Sequence, residues 1–482
     1  MAKKSGSDEI FQLIHSLTAE EKGYFKRFSK RYSEKEGKLL QLFDAINFQT
    51  EYDEAILKKS FASLAVLKAQ LFDQILDSLL LVTNDEDYED GLWKKFKTIS
   101  LLHQRGLTER ALRMNTKALA VAKQSEVFPV YERLLKQRFN MAKQSFTPAE
   151  YLIEVNDLHT NLKITYQALE KINLYYFCFA SIHALEAKAK SGFTKAKLLS
   201  QIPELRLLLN EKEEMAFFIV KRNRLNALAK FHYVIGENQT AQKLLHELLE
   251  MERKLITQND PAQRKDSYYY TLNGLIYNYY SSDNFKEALK VNEYARSLKF
   301  ERKELEAERN IFYCYNKLIL LFEMKDYKGG EQFAASGLKE IKIESGTKKS
   351  PALASIIAFK LLFEWINGNF QQLFKTLTLA DEVFFESGKP KFITDLELMR
   401  LLVHLEADNI SIANRNAKKL LKNSSLSFSK DEKKLIEVIV GCTMSNQQEW
   451  FSKIQKTGKE MKRPLKLFNI ALVSDIMALR KR

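Results

Sequence analysis

Seven histidines, three cysteines and a C-terminal concentration of lysine and arginine are the residues whose types could do chemistry or hold a charged ligand. His183 and Glu186 stand three apart, so a helix would present both on one face, where an imidazole nitrogen and a carboxylate could share a metal ion. An ordinary helix-surface or core histidine beside a carboxylate is the favoured account of the pair. The remaining histidines (His15, His103, His159, His232, His246 and His404) never form the paired helical spacing that grips zinc. Cys178 lies in the run Tyr175-Tyr-Phe-Cys-Phe179, an apolar setting that favours an inert thiol over a thiolate. Cys178, Cys314 and Cys442 lie more than a hundred residues apart, with neither metal-ligand nor redox spacing, a usage that fits a reducing compartment. There is no Gly-x-Gly-x-x-Gly, no phosphate loop and no Gly-x-Ser-x-Gly elbow. The expectation is a protein that is not an enzyme and takes no metal and no cofactor.

The charge is more informative. The chain of 482 residues has 76 Lys/Arg against 61 Asp/Glu, a net +15. Residues 411–482 alone carry sixteen basic residues against six acidic, whereas residues 41–410 are almost balanced. Lys453, Lys456 and Lys459 recur every three residues, so a helix would keep them near one face, with Trp450 and Phe451 just upstream. Lys462, Arg463 and Lys466 follow, then Arg480-Lys-Arg482, while Arg415-Asn-Ala-Lys-Lys419 lies earlier. Such a stripe could bind phosphates by displacing the counterions of a nucleic acid. A solvated terminal face explains the same lysines, and both readings stand at this point.

The elements that must position these residues are helices. Glycine and proline together number 23 of 482, well under half the share of about 12% in an average chain. Sheets and barrels need turn residues at short intervals, so the scarcity argues for long helices with few connections. Thr18-Ala-Glu-Glu21, Ser33-Glu-Lys-Glu36 and Ser429-Lys-Asp-Glu432 are capping boxes, and Thr147-Pro-Ala-Glu150 adds proline at the first helical position. Leu64, Leu67, Leu71, Ile75 and Leu79 line one helix face. No strand-and-hairpin pattern competes.

A turn followed by a small residue recurs along the chain. Gly106-Leu-Thr-Glu-Arg-Ala111, Gly236-Glu-Asn-Gln-Thr-Ala241, Asp283-Asn-Phe-Lys-Glu-Ala288 and Asp408-Asn-Ile-Ser-Ile-Ala413 show it. Adding Ala149, Ala196, Gly330 and Leu373 gives anchors spaced by 38, 47, 45, 47, 42, 43 and 40 residues. Leu275, Tyr279, Asn284-Phe285, Ala288 and Ala295 carry a pattern that resembles the tetratricopeptide repeat, echoed by Phe370 with Ala380 and Ala111 with Ala118. The resemblance covers about residues 90–425. It implies an all-α, right-handed α-solenoid of antiparallel helix pairs, here with a repeat of about 43 residues in place of about 34. The opening Ser16-Leu-Thr-Ala-Glu-Glu-Lys-Gly-Tyr-Phe-Lys26 resembles the start of a family of uncharacterised bacterial helical-repeat proteins, which implies an architecture and no activity.

In that register the first helix of each repeat turns four positions toward a concave groove. The sets are Asn223, Asn226, Lys230 and Tyr233; Tyr270, Asn273, Tyr277 and Tyr280; and Phe312, Tyr315, Ile319 and Phe322. Asparagine amides donate and accept together, and tyrosine joins a large contact area to a polar end, so these sets suit a peptide or protein ligand. The alternative is that longer helices rotate some of them inward, where aromatic rings simply pack. The later set Asp395, Leu398, Leu402 and Leu405 reads as core.

The resulting division is an N-terminal helical cap over 1–90, containing the acidic run Asp85–Asp90, tetratricopeptide-like repeats over 91–425, and a basic helical cap over 426–482. The opening residues are polar, with no signal peptide, and the most apolar stretch, Ala352–Ile366, is too short to span a bilayer. A cytoplasmic scaffold that binds a protein or peptide is the expectation, with no membrane partner and an undefined oligomeric state. The second reading is a nucleic-acid- or ribosome-associated protein that uses its basic C-terminal segment.

Overall fold

In a computed structural model, the structure describes residues 9–32, 37–83, 88–188, 193–211, 216–256, 263–300, 303–341, 351–386, 390–423, 426, 428, 430–442 and 452–454. Among them there is no strand. The chain divides into two compact units, Met1–Lys230 and Phe231–Arg482.

The first unit opens with α1 (Glu9–Ser16), α2 (Ala19–Tyr32), α3 (Gly37–Asn47), α4 (Glu54–Ser60) and α5 (Leu64–Thr83). Thr18 and Glu21 form the expected capping box at α2, the Thr18 N–H donating to Glu21 Oε2 at 2.7 Å and the Glu21 N–H to Thr18 Oγ1 at 3.2 Å. Ile14, Phe25, Leu42, Phe43 and Ile46 close around Leu64, Leu71 and Ile75 of α5, with Leu67 and Leu79 partly buried against the same core. The expected leucine face is therefore the spine of this bundle. The box at Ser33–Glu36 and the acidic Asp85–Asp87 lie outside the described residues, as does Ser429 of the third box.

Then come α6 (Tyr88–Gln104), α7 (Thr108–Gln124), α8 (Phe128–Ser145), α9 (Pro148–Lys188), α10 (Lys195–Gln201), α11 (Leu205–Asn210) and α12 (Phe218–Val234), whose last four residues fall in the second unit. Helices α6 to α9 pack in sequence order. Thr147 and Glu150 cap α9 as expected, the Thr147 N–H donating to Glu150 Oε2 at 2.9 Å. That helix then runs 41 residues without a break. Ala149 at its start and Ala196 in α10 are exposed, so these two anchors do not pack a helix pair as the others do. The residues before them, Phe146 and Thr194, are extended. Glu126, in the α7–α8 turn, caps α12 by accepting from the N–H groups of Phe218 and Ile219 at 2.9 and 2.7 Å.

The second unit holds α13 (Asn238–Ile256), α14 (Gln263–Ser281), α15 (Phe285–Ser297), α16 (Lys303–Glu323), α17 (Tyr327–Glu340), α18 (Pro351–Ile366), α19 (Phe370–Glu386), α20 (Pro390–Glu406), α21 (Ile410–Lys422) and α22 (Lys430–Val440). Each helix from α13 on packs on its successor, and α14 with α16, α16 with α18, and α20 with α22 also touch. A single kind of turn repeats. Gly236, Asp283, Lys325, Gly368 and Asp408 have φ between 57° and 84°, and the next N–H reaches back to a carbonyl five residues earlier, as in Asn284 to Tyr279 (2.9 Å) and Asn409 to His404 (2.8 Å). A left-handed residue at this point satisfies the orphan carbonyls of the ending helix and starts the next one. Gly106 makes the same turn in the first unit.

The residue five positions after each such turn is buried: Ala111, Ala241, Ala288, Gly330, Leu373 and Ala413. Ala118, Ala295 and Ala380, one step further along, are buried too. Asn115 and Asn292, each four residues past an anchor, are buried and donate to the carbonyls of Leu134 and Tyr313 at 3.0 and 3.1 Å. They stitch the second helix of one pair to the first helix of the next. From α16 onward one hydrophobic core, centred on Leu361, Phe363, Trp365, Leu398 and Leu402, runs to Ile454. No helix among the described residues is long and apolar enough to cross a membrane.

Candidate functional site

The first turns of α14 place Tyr268 and Tyr269 in the core, while Tyr270 on the opposite side of the backbone is 49% exposed. One and two turns on, Asn273 is half-buried, Tyr277 is 40% exposed and Tyr280 is half-buried. The three- and four-residue steps from 270 to 273, 277 and 280 keep one face of the helix. The next first helix, α16, contributes Phe312, Tyr315, Ile319 and Phe322, all half-buried.

Contacts across the two helices tie the face together. The Tyr270 hydroxyl lies 3.4 Å from both carboxylate oxygens of Glu308. The Tyr280 hydroxyl donates to Glu323 Oε1 at 3.0 Å. Asn316 donates to the Asn273 side-chain oxygen at 3.5 Å, and to that of Asn292 at the same distance. Tyr233, at the end of α12, meets the Ser281 hydroxyl at 2.9 Å. Partial burial, with Tyr315 and Tyr233 close by, pushes the Tyr277 hydroxyl up to about 12. Burial and Glu323 push Tyr280 up as well. These hydroxyls therefore remain protonated donors at physiological pH. Deeper along the stack, Tyr315 and Phe322 meet Phe359 with ring centroids 6.2 and 5.8 Å apart.

Asn223, Asn226 and Lys230 belong to the first unit. All three are half-buried. The Asn223 amide turns back to the Ile219 carbonyl of its own helix at 2.8 Å. Lys230 Nζ binds Glu186 of α9 at 2.5 Å. That contact bears on the metal reading of His183 and Glu186: the imidazole is 3.7 Å from the carboxylate, and the ammonium already neutralises it. No cluster of three His, Cys, Asp or Glu side chains that could hold a metal occurs among the described residues. Cys178 is buried, and burial with Glu204 nearby pushes its thiol up to about 11. Asp395, Leu398, Leu402 and Leu405 are all buried.

Lys453 is described and exposed, while Lys456, Lys459, Lys462, Arg463 and Lys466 lie outside the described residues. The basic run Arg415–Lys419 noted in the sequence belongs to α21. Ser411, Asn414, Arg415, Lys418, Lys419 and Lys422 line a shallow cleft of about 390 Å³ there. Its signal in the sequence was a helix with no Asp or Glu anywhere between Ile410 and Asn423. No protein-family model matches the chain, and no curated protein matches it.

Proposed function

We propose that the chain is a non-enzymatic scaffold of the cytoplasm that binds a protein or peptide along the face formed by α14 and α16. In this reading the helix pairs are tetratricopeptide-like repeats of about 43 residues in a right-handed stack, and the chain needs no cofactor. The left-handed turns at residues 236, 283, 325, 368 and 408, each five residues before a buried anchor, support that register.

The observation that carries the function is the row Tyr270, Tyr277, Tyr280 and Tyr315. These rings are not sealed in the core, and the hydroxyls of Tyr270 and Tyr280 are held by carboxylates of α16. Aromatic rings fixed by hydrogen bonds lose little freedom on binding, which suits them to anchor a ligand. Glu308 and Glu323 at either end of α16 favour a ligand with Lys or Arg side chains, which gain from both the carboxylates and the ring faces. Asn273 stands between the tyrosines, where an amide can pair with an extended peptide backbone.

A labelled library of peptides of basic, neutral and acidic composition tests this with the full chain. Basic peptides bind most tightly, and Tyr277→Ala with Asn273→Ala weakens them at least tenfold. Equal binding of every composition, or unchanged affinity in the double variant, overturns the reading.

A further inference from the structure

The outward-facing residues of the second helices in the second unit mix charges of both signs. On α13 Arg253 lies 3.7 Å from Glu250, and on α15 Lys290 lies 2.6 Å from Glu287. Helix α21 breaks this rule. Its buried stripe is Ile410, Ala413, Ala417 and Leu420, and its exposed face carries Arg415, Lys418, Lys419 and Lys422 with no acid on the helix. None of the four cations has an ion-pair partner among the described residues.

Their spacing makes the arrangement costly. Arg415 with Lys418 and Lys419, Lys418 with Lys422, and Lys419 with Lys422 are all three or four residues apart, so like charges face each other around the helix. The negative C-terminal end of the helix accounts for Lys419 and Lys422, which lie in the last turn. It does not account for Arg415 or Lys418, nor for the missing acids. Burial pushes the Cys442 thiol up to about 12, and the Lys453 charge, close enough to be felt, opposes that rise. The Cys442 backbone carbonyl accepts from the Asn414 side-chain amide in the cleft wall at 2.8 Å. A further positive charge is thus delivered to the same region by a separate segment.

We propose that this cleft is a binding site for the phosphodiester backbone of a nucleic acid. The cations are spread along roughly 10 Å of helix, a distance that meets successive phosphates of a polymer and is too long for a single phosphate ion. The lining contains no aromatic ring on which a base could stack, so recognition is by charge and independent of sequence. Ser411 adds an exposed hydroxyl. This site is separate from the tyrosine face and does not rest on the peptide-binding reading.

The test is binding of a fluorescent 20-nucleotide single strand, and of the matching duplex, to the full chain across a salt series. The comparison is with Arg415→Gln/Lys418→Gln/Lys419→Gln/Lys422→Gln, whose exposed positions leave the buried stripe intact. Loss of four phosphate contacts on a single strand lowers the magnitude of the log–log salt slope by about 3. At low salt the affinity falls at least tenfold. Retained affinity and slope in the quadruple variant overturn the site. So does loss of binding with Lys462→Gln/Arg463→Gln/Lys466→Gln alone, which moves the contact to the C-terminal segment. Tighter binding to phosphatidylserine vesicles than to either oligonucleotide assigns the cleft to lipid and also overturns the proposal.

Discussion

Gly330 on α17 and Phe363 on α18 approach so closely that a β-carbon at residue 330 would lie 2.4 Å from two carbons of the ring. Phe363 is fully buried and cannot swing away without opening the core. Gly330 stands at one of the recurring anchors, and the contact shows why that anchor must be small: the second helix of one pair rests directly on the first helix of the next. Gly330→Ala is expected to destabilise the chain by about 1–3 kcal/mol through overpacking, although alanine is the better helix former by about 1 kcal/mol. Gly274→Ala is the control, because its nearest neighbour, Leu245, would be 3.7 Å away. Urea midpoints for the two variants decide the point: a lower midpoint for Gly330→Ala, none for Gly274→Ala. Equal midpoints would show that α17 and α18 adapt freely.

Lys360 and Glu364 form an ion pair one helical turn apart within the same core, closed by the Thr376 hydroxyl, which accepts from Lys360 at 2.9 Å. Burial outweighs the lysine and pushes the Glu364 carboxyl above its ordinary range. Breaking a buried pair strands the other charge, so Glu364→Gln is expected to cost about 3–5 kcal/mol, while Lys360→Met with Glu364→Leu recovers most of it. Thermal melts of the single and double variants check this. A double variant no better than the single one would mean that the pair itself stabilises the fold.

His404 on α20 packs its ring against Phe374 at 5.1 Å, with Arg400 one turn away. Burial, and then the Arg400 charge, hold its imidazole below the ordinary histidine value. The folded chain therefore binds this proton less readily than the unfolded chain. Its contribution is full above about pH 6.5, the unfolded value, and is lost as pH falls through the folded value. The stability of the wild type relative to His404→Gln should be constant between pH 7 and 8 and should decline below pH 6.5. Parallel curves from pH 8 to 5 would remove His404 from the pH response.

The turn-and-anchor rhythm was legible because it rests on local chemistry. Gly236, Asp283, Gly368 and Asp408 tolerate the left-handed backbone, and a small or branched residue five positions on marks the packed helix. Ala149 and Ala196 share the local motif but lack that turn. Thr147 to Glu150 is a sound helix-start signal, yet a start alone does not reveal that the helix then runs through to Lys188. That residues 270, 273, 277 and 280 share one helix face follows from helical spacing alone. Which side chains that face meets was not legible, because Glu308 and Glu323 come from another helix. The α21 cleft was obscured by counting charge along the C-terminal segment without asking which helix lacked acids.

The most direct measurement of the central claim places a photo-reactive phenylalanine analogue at residue 277 of the full chain in its native cell, and at exposed Lys290 on α15 as a control. The account predicts a discrete protein or peptide adduct at residue 277 that is absent at residue 290. It should survive nuclease and disappear when Tyr315→Ala and Glu323→Gln are added. No adduct at residue 277, the same adducts at both positions, or an adduct lost with nuclease would contradict it.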